Sequence, residues 1–275
     1  FNSFPKITNM GFYNNYNFLI KNSNTDTQNS DNYIEGDKYY FSSLFQFNSS
    51  LPLVKENEFR QNILKPRLSL KISPNNTKDI SNQNTKIDVN NIYGLNRISE
   101  NDTIEGGMSI AYGNEYSIFD KIRSKELFNL KIANNLRFEE NDDLPGNDQL
   151  NQKTSSVFTE IAYSPVDYLT TKYNSSFKNN LSEINNENLI TEFTFNKFIT
   201  TFDYLNENNV SNGSSYLSNT TKYIVDESNS FSFATRENKK TKLTEYYNMM
   251  YQYKNDCLAA SIEYNKDYYT DRDVK

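Results

Sequence analysis

Histidine is absent from this 275-residue chain, and there is a single cysteine. Without histidine there is no Ser-His or Cys-His nucleophile pair and no histidine-containing metal site. One cysteine excludes a zinc ribbon, an iron–sulfur centre and a disulfide within the chain. The sequence therefore predicts a protein that is not an enzyme and has no metal or other cofactor, with carboxylate-based chemistry as the one catalytic route left open.

Long apolar runs are missing as well, because no segment approaches the ~18 residues of a transmembrane helix. The net charge of −6 argues against a general nucleic-acid-binding surface. Hydrophobic residues make up only 36%, below the ~45–50% of a typical globular domain. Aromatic residues nevertheless reach 15%, which is high for a disordered polar chain. Because the chain begins at Phe1 without a charged and then apolar leader, we expect a fragment of a longer protein.

A two-residue period of hydrophobicity is present along nearly the whole chain. In the segment 128–138, for example, Phe128, Leu130 and Ile132 share one parity, and Asn129 and Lys131 share the other. Alternation of this kind is typical of strands with one apolar and one polar face. The pattern predicts about thirteen strands, near 10–22, 38–48, 63–73, 106–119, 127–139, 156–163, 166–179, 187–195, 198–206, 215–225, 229–237, 242–254 and 257–269.

The connections between these strands differ in length. If successive strands pair as a meander, the short turns fall on one side, and the long loops 23–37, 75–105 and 142–154 fall on the other. Alternating strands with this asymmetry are typical of outer-membrane β-barrels, in which one face meets lipid and the other a wet lumen. The sequence thus predicts an all-β fold, an antiparallel up-and-down transmembrane β-barrel that is present in part. A soluble β-rich binding module, such as an adhesin, stays open as an alternative.

Several segments resemble the LPS-assembly outer-membrane protein family, LptD. In the segment 88–107, which leads into an alternating strand, the matching positions are Asn91, Ile92, Tyr93, Arg97, Asp102, Glu105, Gly106 and the later pair Tyr112 and Gly113. The segments 63–67, 251–257 and 269–273 resemble three further stretches of the family. Asn96 and Thr103 depart from the family pattern, which has Asp and Arg there.

This resemblance implies that residues 1–275 form part of one barrel domain, about half of the family's barrel. A periplasmic β-jellyroll and the terminal barrel strands would lie outside the chain. The implied function is to receive lipopolysaccharide from a periplasmic bridge and insert it into the outer leaflet of the cell outer membrane. The implied partners are lipopolysaccharide, an LptE-like plug lipoprotein, the periplasmic bridge proteins and outer-membrane lipids. A porin or substrate-specific transport barrel is the alternative.

The resemblance also implies roles for particular residues. The family-like loop, with Asn91, Tyr93, Arg97, Asp102, Glu105 and Gly106, would fold as a plug or cap near the lumen, and Arg97 would pair with an acidic residue of the same loop. Cys257 would form a disulfide with a cysteine outside this chain, at the periplasmic end of the barrel; an inert small apolar residue is the alternative reading.

Five basic residues fall on the expected lumen face: Lys65, Arg67, Lys71, Lys131 and Arg137. If the strand register brings them together, they form a positive cluster that can meet lipopolysaccharide phosphates through charge-assisted hydrogen bonds. A polar lumen without a specific ligand remains the alternative.

Overall fold

The computed structural model describes residues 1–29, 36–100, 102–208 and 213–267. Fifteen strands lie in these ranges, and no helix there is long and apolar enough to cross a membrane. The strands are β1 (Lys6–Ile7), β2 (Tyr13–Thr27), β3 (Gly36–Ser50), β4 (Leu53–Glu56), β5 (Arg60–Ser73), β6 (Gly107–Asp120), β7 (Lys125–Arg137), β8 (Val157–Val166), β9 (Leu169–Phe177), β10 (Ile184–Phe195), β11 (Phe198–Glu207), β12 (Ser215–Ile224), β13 (Asn229–Asn238), β14 (Leu243–Lys254) and β15 (Ala259–Asp267).

All strands belong to one antiparallel sheet whose spatial order follows the chain, with β4 as a small hairpin against β5. The ladder between β5 and β6, for example, runs without a break from Arg60 opposite Asp120 to Ser73 opposite Gly107. Within the described residues β1 and β15 do not pair with each other, so the sheet is open. The prediction of an all-β, up-and-down fold that represents part of a barrel is confirmed.

The thirteen predicted strands correspond to thirteen of the fifteen, and the short strands β1 and β4 were not predicted. The bounds predicted for the loop 23–37 are wrong, because β2 continues to Thr27 and β3 begins at Gly36. Backbone pairing extends there past the apolar pattern, since the ladder needs only N–H and C=O groups. Residues 30–35 and 268–275, which include the family-like stretch 269–273, lie outside the described residues.

The two faces of the sheet have opposite character. On β5, Leu64, Leu68 and Ile72 are each 40% exposed, whereas Ser69 and Lys71 on the other parity are 0% and 2% exposed. A soluble sheet buries its apolar face; here the apolar residues point outward and the polar residues are covered. This inversion is the arrangement expected of a barrel wall in lipid.

Two long connections cover the polar face. We call residues 74–106, between β5 and β6, the first inner loop, and residues 138–156, between β7 and β8, the second inner loop. One buried apolar cluster joins both loops to the sheet and consists of Ile87, Val89, Ile92, Ala111, Ala133, Leu150 and Phe158. A second cluster joins the two loops to each other and consists of Ile80, Ile98 and Leu144.

The inner loops correct one expectation about the lumen face, which was predicted to be wet. Asn135 on β7 is fully buried, and so is Ser69 on β5, because loop residues pack above them. We define the side of the sheet that carries these loops as the loop side. The opposite edge is the short-turn side, where the β4 hairpin and the turns at 121–124, 167–168, 196–197, 225–228 and 255–258 lie.

Candidate functional site

The family-like residues at the start of the motif build a compact turn in the first inner loop. The Asn91 amide N–H donates to the Asp88 carboxylate at 2.8 Å, and the Asp88 N–H donates back to the Asn91 side-chain oxygen at 2.9 Å. The Asn91 side-chain amide also donates to the Lys86 carbonyl at 2.9 Å. Side-chain to backbone bonds of this kind favour turns over strands and helices. The turn places Ile92 and Tyr93 against the sheet.

Glu105 is the centre of the most heavily charged buried site in the described part of the chain. Arg97 binds both carboxylate oxygens, with its Nε 2.7 Å from Oε2. Arg137, at the end of β7, reaches the same carboxylate at 2.6 Å, and the Lys71 ammonium lies 3.9 Å away. We call Glu105, Arg97, Arg137 and Lys71 the Glu105 cluster. It ties the first inner loop to β5 and β7 at once.

The Glu105 cluster has an excess of positive charge, because one carboxylate faces three cations. Burial alone would raise the pKa of Glu105, but the positive charges of Arg97, Lys71 and Arg137 outweigh it and hold this pKa far below its usual range. Glu105 is therefore ionised at any physiological pH. The Lys71 ammonium has no hydrogen-bond acceptor among the described residues, so it depends on Glu105 for compensation.

Further hydrogen bonds complete the Glu105 cluster. Arg97 donates to the Asn135 side-chain oxygen at 2.8 Å and to the Ile92 carbonyl at 3.2 Å. Arg137 donates to the Gly106 carbonyl at 2.6 Å. A Cβ at Gly106 would lie 2.2 Å from the Asn75 carbonyl oxygen, so only glycine allows the two ends of the loop to meet this closely. Buried arginines with this many acceptors are rigid and well satisfied.

Asp102 lies apart from the Glu105 cluster, although both belong to the family-like motif. It forms an ion pair with Lys78 in the same loop, and both side chains are about one-third exposed. A pair at this level of exposure contributes little, about 0–1 kcal/mol. Asp102 and Arg97 are thus not partners.

Tyr93 packs the first inner loop against β5 and β6. Its ring packs against the Arg67 guanidinium, 4.2 Å from the guanidinium carbon to the ring centre. A Cβ at Gly113 would lie 2.4 Å from the Tyr93 hydroxyl and 2.2 Å from the Ile132 carbonyl. The two motif residues are therefore linked, because a side chain at position 113 would occupy the space that the Tyr93 hydroxyl fills.

The five candidate basic residues all lie on the covered face, but the strand register does not bring them together in one cluster. Lys71 and Arg137 are buried in the Glu105 cluster. Lys131 pairs with Glu160 at 2.7 Å. Lys65 and Arg67 lie nearer the short-turn side, and neither forms an ion pair with a carboxylate in the described ranges. The expected single positive cluster is therefore replaced by three separate groups.

Asp148 joins the two inner loops and was not predicted as a functional residue. Its carboxylate accepts a hydrogen bond from the Ile87 N–H at 3.0 Å and a longer one from the Ser176 hydroxyl at 3.5 Å. The side chain is 1% exposed. Burial raises the pKa of Asp148 to about 6, and the bonds from Ile87 and Ser176 only partly oppose this. Nothing in its local sequence sets it apart from its exposed neighbour Asp142.

We expect the packing of the inner loops to depend on pH through Asp148. A carboxyl group whose pKa is raised on folding stabilises most at low pH, and this contribution is lost as pH rises through about 6. Between about pH 5 and pH 8 the loss should amount to about 1–2 kcal/mol. Asp148→Asn should remove this dependence, since the amide oxygen can still accept from Ile87, whereas Asp142→Asn should leave it unchanged. Protease cleavage of the inner loops at both pH values measures the effect, and identical pH profiles for wild type and Asp148→Asn would contradict it.

Cys257 lies in the 255–258 turn between β14 and β15, on the short-turn side. Its thiol is free and exposed, and its N–H donates to the Asn255 side-chain oxygen at 3.0 Å. The turn is held by Asn255, which also accepts from the Leu258 N–H at 2.7 Å. The thiol is therefore accessible from this side of the sheet.

The contacts on the covered face attach the two inner loops to the sheet. Within the described residues no cluster of His, Cys, Asp or Glu has the geometry to hold a metal ion. The sequence pattern singled out Arg97, Glu105 and Arg137, and the structure brings them together. It did not indicate Asn135 or Asp148, and the isoleucine spacing in the first inner loop was the one available signal that this loop is buried.

Comparison with known families covers the segments 63–67 and 88–107, on which the resemblance depends, but not the resembling segments 251–257 and 269–273. The model of a family described as LptD, LPS transport system D, matches residues 7–236, which include all the strands from β2 to β12. A search of curated proteins found no significant match.

Proposed function

The chain belongs to the LptD family, which acts in LPS transport and assembly at the outer membrane, and from this we propose that it forms part of the wall of an LPS translocon. In this proposal the protein receives lipopolysaccharide from a periplasmic bridge and inserts it into the outer leaflet. The energy for transport comes from elsewhere, because the sequence has no phosphate-binding loop.

The observation that supports this proposal most strongly is the inverted sheet. Its exposed face carries Leu64, Leu68 and Ile72, and its covered face carries Ser69 and Lys71. Such a wall can meet acyl chains on one side and enclose a polar lumen on the other, as expected of a conduit for an amphipathic lipid. The short turns then lie at the periplasmic end and the inner loops at the cell-surface end.

The inner loops divide the covered face into a closed part and an open part. They contact strands from β2 to β10, whereas the corresponding face of β12 to β14 carries no such loop in the described ranges. On that open part Arg236 lies between the rings of Tyr216 and Tyr246, 5.3 Å from each ring centre. We propose that an LptE-like plug lipoprotein occupies the lumen beside this open part. The periplasmic bridge and, outside this chain, a periplasmic jellyroll would adjoin the short-turn side.

Depletion of the full-length protein in cells tests the proposed function. Newly made lipopolysaccharide should stop reaching the cell surface, as measured by surface labelling or by modification with an outer-leaflet enzyme. A porin or substrate-specific barrel would give a different result, namely loss of uptake of one solute with unchanged surface lipopolysaccharide. That outcome would overturn the translocon proposal.

A second proposal concerns Cys257, whose disulfide partner we place outside this chain. Because the thiol is exposed at the proposed periplasmic end, a cysteine of an adjoining periplasmic domain can reach it. Non-reducing gels of the full-length protein should show a mobility shift on thiol treatment, and Cys257→Ser should abolish the shift. Asp256→Ser in the same turn serves as the control and should keep it. A shift that persists in Cys257→Ser would show that this cysteine is not bonded.

A further inference from the structure

A polar cavity of about 370 Å³ lies beneath the tip of the first inner loop, facing the short-turn side. Lys65 and Arg67 line it from β5, Asn48 and Ser50 from β3, and Tyr93 from the loop above. Lys65 and Arg67 are two residues apart on one strand, so both side chains point to this face. The cavity is separate from the Glu105 cluster, which lies farther along β5 toward the loop side.

Lys65 and Arg67 differ from the other basic residues of this face because they lack a carboxylate partner. Lys71 and Arg137 face Glu105, and Lys131 binds Glu160. Among the described residues no carboxylate lies within 4 Å of the Lys65 or Arg67 nitrogens.

Glu115 is the acidic group nearest to this cavity in the register, opposite Lys65 on β6. It accepts a hydrogen bond from the Asn129 amide at 3.4 Å and forms no ion pair with Lys65. Both cavity cations are half-buried, where an unpaired charge is costly. The site therefore has an excess of positive charge that a bound anion would compensate.

The surroundings of Arg67 leave its hydrogen-bonding edge for a ligand. The Tyr93 ring packs on the face of the guanidinium at 4.2 Å. Stacking of this kind occupies the flat face of the guanidinium and leaves its N–H groups available. These groups are arranged as a fork that matches the oxygens of a phosphate. Tyr93 is itself fixed by its close approach to Gly113, so Arg67 is held in a defined position.

Asn48 adds a neutral acceptor to the same cavity. Its side-chain oxygen is buried and has no hydrogen-bond donor in the described part of the chain. A buried carbonyl oxygen without a donor is uncommon in proteins and indicates a missing partner. Rotation of the Asn48 amide toward the cavity would let a hydroxyl group of a ligand supply that donor.

We propose that this cavity is a binding subsite for a phosphorylated saccharide, in which Lys65 and Arg67 hold the phosphate and Asn48 accepts from a sugar hydroxyl. The inference rests on the proposed function, since a lipopolysaccharide that enters from the short-turn side would present phosphate-bearing sugars to this cavity. A soluble phosphate has the same chemistry, so the test must separate the two sources.

The experiment uses the full-length protein in detergent, with the photo-crosslinking residue benzoylphenylalanine introduced at Ser50, opposite Arg67 in the register. The probes are purified lipopolysaccharide, the same lipopolysaccharide after phosphatase treatment, and inorganic phosphate as a competitor. Lys65→Gln/Arg67→Gln should reduce the adduct with intact lipopolysaccharide at least about tenfold, because two charge-assisted bonds are lost. Phosphatase treatment should reduce the adduct with the wild type to a similar extent.

Two control variants keep the result interpretable. Lys55→Gln/Lys121→Gln removes the same charge near the short-turn side but outside the cavity, and should keep the adduct. Lys65→Arg/Arg67→Lys keeps both charges and should retain most of the adduct. Unheated gels should show that Lys65→Gln/Arg67→Gln still migrates as a folded barrel, so that its loss of adduct reflects a loss of binding. Complete competition by inorganic phosphate would assign the site to a free anion, and weak competition would assign it to the lipid headgroup.

Undiminished crosslinking in Lys65→Gln/Arg67→Gln, or equal crosslinking of phosphatase-treated lipopolysaccharide, would overturn the subsite while leaving the translocon proposal intact. If the proposed function itself is wrong, the wild type should give no lipopolysaccharide adduct, and depletion should leave surface lipopolysaccharide unchanged. The two failures are therefore distinguishable.

Discussion

Replacing Glu105 by glutamine should release the first inner loop from the sheet. The substitution preserves the size of the side chain but removes the only negative charge among three buried cations, Arg97, Arg137 and Lys71. Breaking a buried ion pair in this way typically costs about 3–5 kcal/mol, because a charge is left buried without compensation. The effect should be greater here than for a single pair, since the remaining cations also repel one another.

Limited proteolysis of the full-length protein in detergent measures this release as faster cleavage within residues 74–106. Cells should also become more permeable to bulky antibiotics. Glu140→Gln, an exposed carboxylate at the start of the second inner loop, is the matched control and should behave as wild type. Unchanged proteolysis and permeability in Glu105→Gln would show that the Glu105 cluster does not hold the loop.

Lys71 offers an internal check on this explanation. Its ammonium makes no hydrogen bond to the residues that the structure describes and lies 3.9 Å from Glu105, so it contributes repulsion toward Arg97 and Arg137 as well as attraction to the carboxylate. Lys71→Met should therefore partly restore resistance to proteolysis when combined with Glu105→Gln. A purely steric role for Glu105 would predict no such rescue.

Most of the wall could be predicted from the sequence because strand alternation is a local property. Leu64, Leu68 and Ile72 fall on one parity whatever happens elsewhere, and the meander order follows when successive strands pair. The ends of β2 and β3 were misjudged, because their pairing up to Thr27 and Gly36 depends on the backbone and not on apolar side chains. Strands as short as β1 and β4 leave too few residues for a period to appear.

The covered face was harder to predict, because its neighbours come from distant parts of the chain. Arg97 and Glu105 lie in one motif, but Arg137 joins them only through the pairing of β6 and β7. The isoleucines of the first inner loop are surrounded by asparagine and serine, so the segment resembles a solvated loop in composition. Its burial depends on Ala111 and Ala133, two small residues on the sheet whose role is visible only in three dimensions.

Removing the first inner loop should open the lumen without disrupting the wall. Ser73 and Gly107 are directly opposite each other at the end of the β5–β6 ladder. Two opposed residues of this kind can be joined by a two-residue Asn-Gly turn, the preferred connection of a tight hairpin. A variant in which residues 74–106 are replaced by Asn-Gly should therefore keep β5 and β6 paired and should still assemble as a heat-modifiable barrel.

The expected result is a large increase in permeability to bulky antibiotics, because the part of the covered face that lies beneath the first inner loop would then line open space. Its polar residues, including Gln46, Ser69 and Lys71, tolerate water. The apolar residues newly exposed there are few, mainly Ala111, Ala133 and Phe158. The matched control replaces residues 178–183 by the same turn between Phe177 and Ile184, which also pair directly. That shorter loop does not fill the lumen face, so its removal should leave permeability close to wild type. If the long deletion assembles normally and permeability does not change, the barrier lies elsewhere in the barrel, and the first inner loop is not the closure proposed here.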